Sequence, residues 1–141
     1  MSRIINPEGA AKERTRLTRA IVLALRELMR QQDLSESSRD LAAFIGIALQ
    51  DLYATVDSSV GAWEKRGYWV KAERFRMEWE WSQRQGDKMV SAIMIEDWGA
   101  VAQVAATTGQ KLMKVSVPVR HKIGTPWVGA YQQLQKNSHS H

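Results

Sequence analysis

Enzyme chemistry needs a nucleophile, an acid–base pair, a metal or a phosphate cradle, and this 141-residue chain is short of all four. It has no cysteine, which removes a thiolate nucleophile, a disulfide and a Cys-ligated metal. Its histidines, His121, His139 and His141, all fall near the C-terminus. No Glu-x-x-His pair is present to build a di-iron bundle site, and no histidine lies near a helical serine that it could activate. Glu78 and Glu80 are two residues apart. On a helix they point about 160° from each other and cannot share an acid–base task. There is no Gly-rich phosphate loop. The expectation is a protein with no catalytic residues, no metal and no cofactor.

Aromatic surface is what the chain has instead. Four of its six tryptophans lie between Trp63 and Trp81. At about 100° per residue, Trp63, Val70, Met77 and Trp81 fall on one side of a helix, and Tyr68, Ala72, Phe75 and Trp79 fall opposite. A helix apolar on two opposed faces cannot satisfy both with one neighbour. One face belongs to the core. The other must meet the 111–135 segment, a second copy or a different protein. Aromatic side chains are enriched at binding hot spots, so Tyr68, Trp69, Phe75 and Trp79 are the candidate contact residues. Arg74 sits in the middle of the Trp63/Trp81 face. A buried arginine needs a carboxylate or a ring to offset its desolvation, and Asp97 on the following helix, with Glu96 beside it, is the expected partner in a structural ion pair.

The net charge of +5 is unevenly spread. Residues 1–35 carry +3, 36–61 carry −3, 62–90 carry +2, 91–110 carry −2 and 111–141 carry +5. Alternating segments suit neighbouring antiparallel helices better than a uniform basic coat for nucleic acid. The densest basic feature is a stripe on the first helix. Lys12, Arg16, Arg19, Arg26 and Arg30 fall within about 80° of one another and run about 27 Å along the axis. Such a stripe is a candidate anion or phosphate contact; Glu13 and Glu27 beside it weaken the field, and a solvated face is the plainer reading.

These residues need helices to hold them. Asn6 is a good N-cap, with Pro7 at the first helical position, and Leu17, Ile21, Ala24, Leu25 and Leu28 follow helical spacing to about Gln32. Ser37 with Asp40 resembles a capping box for a second helix. From there one apolar seam keeps phase from Ala42 and Ile45 through Val56, Val60 and Trp63 to Val70. The spacing predicts one long helix over about 38–84, or two if 58–61 turns. Gln85-Gly86-Asp87 reads as its stop, with Gly86 as the left-handed cap, and 88–107 as the next helix. Met113, Val115, Val117 and Val119 alternate with polar residues or proline, so this stretch is extended, either along the bundle or against another chain. Thr125-Pro126 can start a short helix bearing Trp127, Tyr131 and Leu134. The predicted fold is all-α: an elongated antiparallel bundle of three long helices, or four if the middle one divides. A bundle domain over 1–110 is followed by an extended C-terminal segment over 111–141, with a short helix at about 126–135 and a frayed tail from Asn137.

Part of the chain resembles a winged helix-turn-helix regulator. Ser38-Arg39-Asp40-Leu41-Ala42-Ala43-Phe44-Ile45-Gly46-Ile47 is similar to the family's second helix and its Gly-containing turn. Thr55-Val56, Val60 and Trp63-Glu64-Lys65-Arg66-Gly67-Tyr68 are similar to the end of the recognition helix and the start of the wing. The resemblance covers about 45 residues and implies DNA binding, with Phe75, Met77, Trp79 and Trp81 alternating on a wing strand. It departs from the family by some four extra residues between Ile47 and Thr55, by the lack of a wing-turn residue between Tyr68 and Trp81, and by Asp51 and Asp57 where phosphate contacts are wanted. The function read from the whole is a non-catalytic helical protein–protein interaction or assembly module, self-associating through an aromatic helix face. A DNA-binding regulator is the alternative. The expected partner is a second copy or another protein, with nucleic acid less favoured. The longest apolar run, Leu41 to Leu49, is nine residues against the ~20 that span a bilayer. The first residues lack signal-peptide features, so a cytoplasmic protein without membrane contact is expected.

Overall fold

The structure, a computed structural model, describes residues 7–33 and 35–139. The chain is all-α. Its described residues form α1 (Pro7–Arg30), α2 (Glu36–Lys65), α3 (Trp69–Met94), α4 (Trp98–Lys111) and α5 (Ala130–His139), with no strand among them. The expected cap Asn6 lies outside the described residues.

α1 and α2 are joined by a short connection, and α2 is capped by Ser35 in place of Ser37. The Ser35 hydroxyl accepts from the Ser38 amide at 3.2 Å, and Ser38 donates back to the Asp33 carbonyl at 2.7 Å. α2 then runs for 30 residues without a turn at 58–61. Its serines there are absorbed by packing, since Ser59 is buried and accepts from Arg14.

The break comes later, at Gly67. The Tyr68 amide donates to the Trp63 carbonyl at 2.9 Å and the Gly67 amide to Glu64 at 3.0 Å, with Gly67 at φ +82°. This is the Schellman pattern, which glycine enters without a Cβ penalty. The same pattern closes α3: Asp97 donates to Ala92 at 2.9 Å and Glu96 to Ile93 at 3.0 Å, with Glu96 itself at φ +57°. The single helix over 38–84 is therefore two helices, divided at 66–68. Gly86, expected as a stop, is inside α3.

Gly86 has another task. A Cβ there would stand 3.0 Å from Leu49 Cβ and 3.1 Å from the Gln50 backbone nitrogen, and one at Gly46 would meet Val90 and Met89 at 3.1 and 3.2 Å. Two glycines thus let α2 and α3 approach closely where they cross, antiparallel. Gln50 donates to Asp87 at 3.0 Å across the same contact. α1 packs on α2, α2 on α3 and α3 on α4, with narrower contacts from α4 to α1 and α2. Ile21, Leu41, Ile45, Leu49, Leu52, Met89 and Ile93 are fully buried at the centre. A smaller cluster of Val56, Val60 and Ala72 fills the α2–α3 end, covered by Tyr53, Trp63, Phe75 and Trp79.

α4 continues through Gly109 to Lys111, beyond the expected 107. Val115 and Val117 of the extended segment lie along the bundle, packed against the main core. α5 begins at Ala130 and is helical to His139, so the predicted short helix is shifted by about one turn and Asn137 is not frayed. Asp40, read from sequence as part of α2's own cap, instead accepts from the Gly129 and Tyr131 amides at 3.0 Å each. Trp127 meets Phe44 edge-on, ring centroids 6.4 Å apart. The C-terminal segment is thereby fastened to the start of α2.

Residues 68–81, which the winged-helix resemblance makes a wing, belong to α3 and its N-cap, and the Gly46 position needed for a helix-turn-helix corner lies inside unbroken α2. The winged fold is not the one this chain adopts. No described helix is long and apolar enough to cross a membrane.

Candidate functional site

Three surfaces could do something. The first is α3's outward face. Ala72 is buried, while Phe75 and Trp79 are half-buried against the α2 cluster. Trp63 and Phe75 meet edge-on at 5.0 Å, Phe75 and Trp79 lie 6.3 Å apart, and Trp79 stacks on Trp81 at 6.2 Å. So the face expected to meet a partner is the one that packs on α2, and Phe75 and Trp79 are internal. Arg14 of α1 completes this cluster. It donates to the Thr55 carbonyl and hydroxyl at 3.2 Å, and its guanidinium lies 4.7 Å from the Phe75 ring centroid. Burial lowers the Arg14 pKa, and the charge of Glu78 partly opposes that. Arg14 falls opposite the cationic stripe, on the same side of α1 as Leu17, Ile21 and Leu25, and that placement of a cation within an apolar arc was the signal that could have found it.

The opposite face of α3 divides. Trp81 is buried, but Val70 and Met77 are each 67% exposed and Trp69 is 63% exposed. Tyr68 is exposed beside them at the helix start. α5 packs on α2 and not on α3. Arg74 is exposed, and among the described residues no carboxylate pairs with it. Asp97 caps α4, accepting from the Ala100 amide at 3.1 Å. Arg74 and Asp97 are separated by the remainder of α3, roughly 30 Å of helix axis, so the expected ion pair does not form.

The second surface is basic. Lys12, Arg16 and Arg19 of α1 face Arg120, His121 and Lys122 of the extended segment across a groove of about 570 Å³. Arg16 is held by Glu13 through two hydrogen bonds, of 3.1 and 2.5 Å, and that bonding raises its pKa. Arg26 and Arg30 do not line the groove, and Arg30 is paired with Glu27 at 2.7 Å. The stripe read from sequence therefore splits in two. The three C-terminal partners of its first half were missed, although a segment with five cations and no acid was a visible signal.

The third surface is an apolar groove of about 760 Å³ between the end of α1, the start of α2 and α4. Leu25, Leu28, Ala42, Trp98, Val101 and Ala105 contribute its walls. Polar groups are few there and none forms a pair suited to catalysis. Among the described residues, no three His, Asp or Glu side chains come together as a metal site. No protein family matches the chain, and neither a curated protein nor a solved structure is found similar to it.

Proposed function

We propose that the protein is a non-catalytic helical assembly module that self-associates through the outward face of α3. The observation that carries this is the exposure of Val70 and Met77, one heptad apart, on either side of Glu73 and Arg74. Two α3 helices packed antiparallel about a two-fold axis between residues 73 and 74 bring Val70 against Met77 of the second copy, and Met77 against its Val70, while Glu73, held by Arg76 at 2.6 Å, and Arg74 lie on opposite flanks of that seam. A two-fold interface requires such reciprocity. Trp69 and Tyr68 extend the apolar area at each end, where aromatic anchors contribute most.

The test is a substitution in the seam. Wild-type protein at about 100 micromolar, a concentration that reveals even weak dimers, should sediment as a dimer. Val70→Glu and Met77→Glu should each push it to monomer by placing a carboxylate in the apolar contact, with helix content by circular dichroism unchanged because both positions are exposed. A wild-type monomer, or a Met77→Glu variant that stays a dimer, would remove the proposal.

A further inference from the structure

The basic groove between α1 and the 118–123 segment is separate from the α3 face, and its chemistry differs. Its two walls come from parts of the chain about a hundred residues apart. Lys12, Arg16 and Arg19 stand on one wall, and Arg120, His121 and Lys122 on the other. The one acid lining it, Glu13, is already engaged with Arg16. Among the described residues, no carboxylate forms an ion pair with Lys12, Arg19, Arg120 or Lys122. Folding thus brings unneutralised like charges face to face, an arrangement that repels unless an anion lies between them. His121 adds a directed donor. Its Nδ1 accepts from the Ile123 amide at 3.4 Å, which leaves Nε2 to carry the proton of the neutral ring.

Shape and composition narrow the anion. The groove is concave and its volume of about 570 Å³ is that of a small-ligand site. No Phe, Tyr or Trp lines it, and a lone His121 ring makes no run of platforms for stacked bases of a single strand. The cationic run does not continue to Arg26 and Arg30, as tracking a long phosphate backbone would require. We infer that this groove binds a compact polyanion carrying two or more linked phosphate groups, with Lys12, Arg19, Arg120 and Lys122 neutralising its charge.

Calorimetry with sodium tripolyphosphate, sulfate and orthophosphate at about 50 mM salt, where screening is still modest, tests the inference. Tripolyphosphate should bind one per chain, at least about tenfold more tightly than either single anion. Arg19→Ala and Arg120→Ala should each weaken it by about tenfold, while Arg26→Ala, on the same helix but outside the groove, should leave it unchanged. Circular dichroism of each variant checks that these surface changes leave the fold intact. Equal affinity for sulfate and tripolyphosphate would overturn the inference. So would an equal loss in Arg26→Ala, or tight binding of duplex DNA that tripolyphosphate does not compete away.

Discussion

The Asp40 carboxylate accepts two backbone amides from a segment some ninety residues away, at Gly129 and Tyr131. Those amides open α5 and have no helical acceptor of their own. Beside it, Arg39 lies 5.6 Å from the Trp98 ring centroid and 5.8 Å from that of Tyr131. Asp40→Ala should cost about 1–2 kcal/mol, the value of a lost cap with a charged acceptor. Hydrogen exchange should quicken at Gly129 and Tyr131 before it quickens in α2; uniform protection throughout would count against the role. Glu96 is the other residue-scale case, a non-glycine held at φ +57° in a helix stop. Glu96→Gly relieves that strain and should raise stability by about 1 kcal/mol, read as a higher melting temperature.

At the scale of elements, the α2–α3 crossing depends on residues with no side chain. An alanine methyl at Gly86 would press on the Gln50 backbone at 3.1 Å, which cannot move away as a flexible side chain could. Gly86→Ala should gain about 1 kcal/mol of helix propensity and lose about 1–3 kcal/mol to overpacking, for a net destabilisation. Gly61, also within α2, has nothing within 4 Å of where a Cβ would stand. Gly61→Ala should therefore stabilise by about 0.5–1 kcal/mol. Denaturant midpoints moving in opposite directions for these two chemically identical substitutions would establish that approach distance, and not propensity, sets the crossing.

For the molecule as a whole, the last 30 residues complete the body formed by the first four helices. Ala130 and Leu134 are buried in the main core, and Trp127 and Tyr131 pack against it. A chain ending at Ile123 should keep its four long helices by circular dichroism yet unfold earlier, by about 2–3 kcal/mol for the apolar area uncovered. An unchanged midpoint would mean that α5 rests on the core without supporting it. The truncation leaves α3's outward face in place, so self-association can be measured without α5, whereas the basic groove, which Ile123 lines, gains a terminal carboxylate.

Much of this was legible from residue order. The period of apolar residues specified α1, most of α2 and α4, because a helix buries one face and the pattern records which one. Alternation over 113–119 likewise marked a stretch that is not helical, although 113–114 turn out of α4 and the chain is extended only from Val115. Where the helices break was not legible. Gly67 and Gly86 are the same residue type in similar surroundings, and a glycine serves equally to take a positive φ or to admit a neighbouring backbone. Only the antiparallel return of α3 onto α2 assigns one task to each. The faces of α3 posed the same difficulty. Both are apolar, so the choice between inner and outer depended on where α2 lay, a contact between residues far apart in the chain. The basic groove, too, exists only because the 118–123 segment is carried back to α1, and local spacing holds no record of such an encounter.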